Sequence, residues 1–182
     1  MRGIIKAILI YSITFVTLIS CVEEQDFGQY DEVELTPAYE ASLLYVEAPE
    51  SLVNDAPTNV VFSQNFNFDA FSSDVFVDRV IDGTITYIVE NTTSKEMTVT
   101  VELLDGDGNV LDTEVFPIEP APTAQLQREV AYGNSGKNIN IIKNTSSLRV
   151  STINLGDNTG TSDLPDPKII LKSSGKFRVR IK

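Results

Sequence analysis

Histidine and tryptophan are absent from the 182 residues, and cysteine occurs once, at Cys21. Without histidine there is no Ser-His-Asp or Cys-His catalytic set and no ordinary zinc site. A single cysteine forms no internal disulfide, and an odd cysteine in an exported chain calls for a partner or a modification. Long apolar runs are also lacking. The one candidate, Ala7 to Ile19, is shorter than the roughly 20 residues that a membrane-spanning helix needs. Cations are scarce over most of the chain: between Cys21 and Pro120 only Arg79 and Lys95 stand against 22 acids.

What is present at the start is an address. Met1 to Lys6 carries Arg2 and Lys6 and no acid, and the apolar stretch after it is broken only by small hydroxyl residues, as in a secretory signal peptide. Leu18-Ile19-Ser20-Cys21 closes that stretch. This resembles the bacterial lipobox, an aliphatic residue, two mostly small residues and a cysteine. The resemblance implies cleavage before Cys21, a diacylglycerol thioether on its sulfur and an amide-linked chain on the new amino terminus. Two or more chains give durable anchoring where one is marginal. Glu23, Glu24 and Asp26 follow at once, and Asp31, Glu32 and Glu34 extend the acidic run. The run is similar to the tether of Bacteroidota lipoproteins that are carried to the outer face of the outer membrane. The whole chain resembles small outer-membrane lipoproteins of flavobacteria, and the likeness implies localisation at the cell exterior. The organisation expected is a signal peptide over 1–20, an acidic tether over 21–40 and a domain over 41–182.

Removing the signal leaves 162 residues, enough for one domain with a single core. Its charge is −14, with 12 cations against 26 acids, which argues against nucleic acid as a partner. The charges are segregated along the chain: from Ala121 onward four acids face ten cations. Solvated faces account for such a split, as does cross-strand attraction if strands of the two halves pair.

Nearly every segment after residue 40 alternates with the period of a strand. Met97, Val99, Val101 and Leu103 fall on one face and Thr98, Thr100 and Glu102 on the other. Asp105-Gly106-Asp107-Gly108-Asn109 then predicts a turn into Val110–Ile118. Ile85, Tyr87 and Val89 alternate upstream, and a turn at Asn91–Lys95 suggests a three-strand meander, with a fourth strand over Ala124–Tyr132. Further strands are expected at Ser42–Glu47, Asn59–Ser63, Leu148–Ile153, Lys168–Lys172 and Lys176–Lys182. Helix is limited to a turn or two within Phe68–Phe76 or Lys137–Ile142. The fold class expected is all-β, an antiparallel sandwich of immunoglobulin type with 7–9 strands.

No cofactor is expected, and no metal site. Asp105 to Asn109 starts like a calcium loop, but an EF-hand needs glycine at position 110 and glutamate at 116, where Val110 and Phe116 stand. Asp69, Asp74, Asp78 and Asp82 form a second acidic group, read as a solvated loop. Tyr45, Tyr87 and Tyr132 read as core, and Phe62, Phe66, Phe68, Phe71 and Phe76 as a plug at one end. Lys176, Arg178, Arg180 and Lys182 share one face of the last strand, a basic face suited to an anionic partner. The function expected is non-enzymatic: a lipid-anchored binding or structural domain, an accessory subunit of an outer-membrane assembly with a membrane protein as partner. Two alternatives are a glycan-binding module of a polysaccharide uptake system, which exposed tyrosines would favour, and a hydrolase using paired carboxylates.

Overall fold

The computed structural model describes residues 34–56, 61–68, 71, 73–121, 125–134 and 136–181, together with Gly3 and Ile4. Cys21, Glu23, Glu24 and Asp26 lie outside the described residues, as do Asp69 and Lys182. Among the described residues no helix is long and apolar enough to cross a membrane.

Eight strands build the compact unit Leu35–Lys182. They are β1 (Ala38–Pro49), β2 (Val61–Asn67), β3 (Val80–Asn91), β4 (Met97–Leu104), β5 (Val110–Ile118), β6 (Leu126–Tyr132), β7 (Ser147–Asn154) and β8 (Lys168–Val179). Three six-residue helices lie in the connections: α1 (Glu50–Asp55), α2 (Asp74–Arg79) and α3 (Ile139–Asn144). One four-stranded sheet runs β1-β8-β3-β6 and the other β2-β7-β4-β5, with every neighbouring pair antiparallel. This is the all-β antiparallel sandwich read from the alternation. Its strand order is that of a jelly roll, two interleaved four-stranded sheets, and differs from the immunoglobulin order.

Alternation fixes which face goes in. Ile85, Tyr87 and Val89 of β3 and Met97, Val99, Val101 and Leu103 of β4 are all buried, and the residues between them are partly exposed. Tyr87 meets Phe116 of β5 across the sandwich, ring centroids 5.5 Å apart. At one end Phe71 stacks against Phe76 and meets Phe68 and Phe177 edge to face, so most of the phenylalanine group does form a plug. Phe62 is outside it and exposed.

The meander expected over Thr84–Ile118 is not formed. β4 and β5 make the hairpin, but β3 pairs with β6 and β8 in the opposite sheet. The Asn91–Lys95 segment is a corner between sheets rather than a hairpin turn. Asn91 holds it: Nδ2 donates to the carbonyls of Lys95 (2.7 Å) and Glu119 (2.9 Å), and Oδ1 accepts from Thr93 N and Oγ1. The hairpin turn is as read. Asp105 accepts from Asp107 N and from Asn109 N and Nδ2, and Gly108 takes φ +82, so the carboxylate is occupied by its own turn.

The last two strand candidates are one strand. Ser173-Ser174-Gly175 reads as punctuation, yet β8 runs through it between β1 and β3. The glycine is there for space: a Cβ on Gly175 or on Gly83 of β3 would collide with the Phe177 ring. β1 begins at Ala38, earlier than the Ser42 expected. Tyr45 is not core, as expected from its apolar neighbours, but 58% exposed. A register shift between Ser42 and Leu44 changes which residues of this edge strand face inward.

The split in charge along the chain is used for pairing. Arg149 of β7 stands opposite Glu102 of β4 at 2.6 Å, Arg178 of β8 binds Asp82 of β3, and Lys172 of β8 reaches Glu90 of β3 at 3.2 Å. Cations of the second half thus face acids of the first across the strands.

Candidate functional site

The two lateral edges of the sandwich are built differently, and the difference defines the site. On one side, the edge strands β5 and β6 are clasped. Lys137 Nζ lies 2.6 Å from Asp112 Oδ1 and 2.7 Å from Glu114 Oε1, Arg128 Nη1 lies 2.8 Å from Glu114 Oε2, and the Tyr132 hydroxyl donates to Asp112 at 2.8 Å. The Arg128 guanidinium also covers the Phe116 ring at 4.6 Å. Burial together with the neighbouring Tyr87 and the acceptor Asp112 pushes the Tyr132 hydroxyl well above the ordinary tyrosine range, so it stays a donor.

On the other side, between β1 and β2, the sandwich is open. A groove of about 340 Å³ runs there, lined by Val46, Leu52, Phe62, Phe66, Met97 and Ile169, with Gln64 and Asn154 among its polar groups. Helix α1 lies at this groove with Val53 buried and Leu52 exposed. In β2, Phe62, Gln64 and Phe66 share the face opposite Thr152, Val150 and Leu148 of β7, while Ser63 and Asn65 point away.

A polar knot ties the start of α1 to the loop after β7. Glu50, first residue of α1, is 2% exposed and accepts from Ser94 N (2.6 Å), Ser94 Oγ (2.6 Å) and Ser162 N (2.8 Å). Burial raises its pKa, and the hydrogen bonds from Ser162 and Ser94 outweigh that, so the carboxyl titrates below its ordinary range. Lys95 is 1% exposed and donates to Asp157 Oδ1 (2.5 Å) and the Gly160 carbonyl (2.7 Å). That contact and the Thr159 and Gly160 amides bring Asp157 down to about 2. Every oxygen of these two carboxylates that is hydrogen-bonded here is bonded inward to the fold, which makes the knot a clamp on α1 and on the loop after β7. The alternation of β3 and β4 gave no sign of it. Lys95 as one of two cations in an acidic stretch was the only hint.

A shallower depression of about 370 Å³ lies on the outer face of the other sheet, lined by Ser42, Tyr45, Thr86, Lys172 and Ser174. The Tyr45 hydroxyl donates to Glu47 at 2.7 Å, leaving the ring exposed.

The residues expected to act are placed as follows. Lys176, Arg178 and Arg180 are exposed, with Phe177 and Val179 buried between them, as the alternation requires. Arg178 is neutralised by Asp82, so the face is less basic than its sequence. Asp74 and Asp78 are exposed, Asp82 serves Arg178, and no group of three or more potential metal ligands occurs among the described residues.

No protein-family model matches the chain, and no curated protein matches it. Solved structures do. The chain is similar to the VP2 subviral particle protein of infectious bursal disease virus, at 13% identity and TM-score 0.34 over 80% of this chain and 32% of that one. It is similar also to a disulfide-linked pilus protein of Bacillus endospore appendages, at 8% identity and TM-score 0.36 over 79% and 89%. A structure of desmodium yellow mottle tymovirus gives 7% identity and TM-score 0.35 over 82% and 89%. The chain spans about a third of the length of the bursal disease virus protein.

Proposed function

We propose that this chain is a lipid-anchored binding module. It is exported, cut before Cys21, fixed to the outer membrane through lipid on that cysteine with the domain facing outward, and it binds a partner polypeptide along its open side. The Leu18-Ile19-Ser20-Cys21 sequence and the acids at 23, 24 and 26 support the address. One observation carries the binding face: β5 and β6 are clasped by ion pairs, whereas β1 and β2 leave an apolar groove open between two sheet edges. An extended segment laid there gains backbone bonds from an edge and pockets for alternate side chains.

Phe62 and Val115 provide a matched test, being 49% and 44% exposed on opposite lateral sides. A photo-crosslinking phenylalanine analogue at position 62 should trap a polypeptide on intact cells, and the same group at position 115 should not. Equal trapping at both, or at neither, would refute the binding face. For the anchor, an alkyne fatty acid should tag the parent chain and leave Cys21→Ala untagged; a tagged Cys21→Ala chain would refute it.

Sugar binding is the second reading, favoured by Tyr45. Its exposed ring stands over a depression bearing the hydroxyls of Ser42, Thr86 and Ser174. Tyr45→Ala should then abolish retention on immobilised polysaccharide, and unchanged retention would dismiss this reading.

A further inference from the structure

We propose that the chain forms a two-fold dimer through β2, laid antiparallel against β2 of a second copy with Gln64 on the axis. This rests on the β1/β2 side being the binding face and names its occupant. A sheet edge offers unpaired backbone groups to any passing strand, and folded proteins blunt such edges with charge, proline or a bulge. Three of the four edges here are blunted. β1 has Glu40, Glu47, Pro49 and a register shift; β5 has Asp112, Glu114 and Pro117; β6 has Arg128 and Glu129. β2 has none of these. It reads Val-Phe-Ser-Gln-Asn-Phe-Asn, pairs with β7 in unbroken register over all seven residues, and stands at the end of its sheet.

Two properties select a second copy. The first is charge. Cut before Cys21 the chain carries a formal −14, so copies repel wherever acids meet, and among the four edges β2 alone brings no charged side chain against its own copy. The second is symmetry. Pairing centred on Gln64 sets Phe62 opposite Phe66 of the partner subunit, and the partner's Phe62 opposite Phe66. Ser63 and Asn65 meet in the same way, and the two Gln64 amides meet each other. Aromatic cross-strand pairs are among the favourable ones. A two-fold axis perpendicular to the sheet keeps the groove-facing sides of both copies together, so the two phenylalanine pairs roof the grooves beneath them. A seven-residue strand pair buries less than the roughly 800 Å² per partner of a standard interface. Confinement of both copies to one membrane raises their effective concentration and compensates.

The test uses the full chain in isolated outer membranes. Facing residues of an antiparallel pair have Cα atoms about 4.5–5.5 Å apart, within the range a disulfide spans. Gln64→Cys under mild oxidation should give a reducible dimer, while the parent and Gln127→Cys, exposed on β6, should remain monomeric. Added to Ser63→Cys with Asn65→Cys, whose thiols face the partner's across the axis and should oxidise to a dimer in the same membranes, Gln64→Lys sets two cations against each other and should abolish that dimer without lowering the melting temperature. No more dimer from Gln64→Cys than from Gln127→Cys would overturn the proposal, as would a Gln64→Lys chain that stays dimeric. A foreign protein trapped at position 62 while Gln64→Cys stays monomeric would overturn the dimer and leave the binding face standing.

Discussion

Replacing Glu50 by glutamine exchanges one oxygen for an NH₂ group and should destabilise the domain in a manner that pH reveals. Both carboxylate oxygens accept in the native knot: Oε1 from Ser94 N and Oγ, Oε2 from Ser162 N at 2.8 Å. Glutamine keeps one acceptor, which serves Ser94, and turns an NH₂ toward the Ser162 N–H. A buried donor left without an acceptor costs about 1–3 kcal/mol. The Ser94 bonds lose their charge assistance, and with it about half their strength, for about 1 kcal/mol more. The sum is about 2–4 kcal/mol, and at about 4 °C per kcal/mol for a domain of this size the melting temperature should fall by about 8–16 °C at pH 7. Acid should then narrow the difference. Glu50 titrates below its ordinary 4.5 in the fold, so between those values the unfolded chain binds more protons than the folded one. Its contribution is fully present above pH 4.5 and is lost as the pH falls through the folded-state value. Asp157 titrates at about 2 in both proteins and cancels. Calorimetric melts of parent and Glu50→Gln from pH 7 to pH 3 should therefore converge. A gap that is constant with pH, or no gap at pH 7, would refute the account of the knot.

Two further outcomes follow from packing. Gly83→Ala sets a methyl group 2.7 Å from the Lys176 carbonyl and against the Phe177 ring, and should destabilise by about 1–3 kcal/mol in denaturant titration; a neutral result would mean that Phe177 does not seat between Gly83 and Gly175. Asp112→Ala takes the carboxylate acceptor from the buried Tyr132 hydroxyl while Lys137, partly exposed, turns to water or to Glu114, so a loss of about 1–3 kcal/mol is expected. Stability unchanged by that substitution would show that the β5/β6 clasp contributes nothing.

The strands were legible because burial on one face of a strand writes a period of two into the sequence, as at Met97–Leu103 and Ile85–Val89. Strand order was not. Pairing of β3 with β8 joins residues about 90 apart in sequence, and nothing local at Asn91–Lys95 tells a hairpin turn from a corner between sheets. The Asn91 side chain makes the corner by reaching Glu119, a partner that only the fold supplies. Lys95 read only as the end of a turn; its burial depends on Asp157 and Gly160, brought in by the loop after β7. The strand expected at Asn59–Ser63 runs on to Asn67, and Phe62 and Phe66 line not the plug but a groove whose openness comes from β1 and β2 both ending their sheets. Tyr45 shows the converse, a core-like pattern on an edge strand whose outward face is left bare.

The claim that the β2 edge is where this protein binds is tested most directly by amide hydrogen exchange over Val61–Asn67, measured in outer membranes for the parent and for Gln64→Lys. In an unpaired edge strand the amides that do not bond to β7 exchange rapidly, and a bound strand protects them. The parent should show these amides protected and Gln64→Lys should lose that protection, with Val110–Ile118 of β5 exchanging alike in both. Equal, rapid exchange of β2 in both proteins would contradict the account.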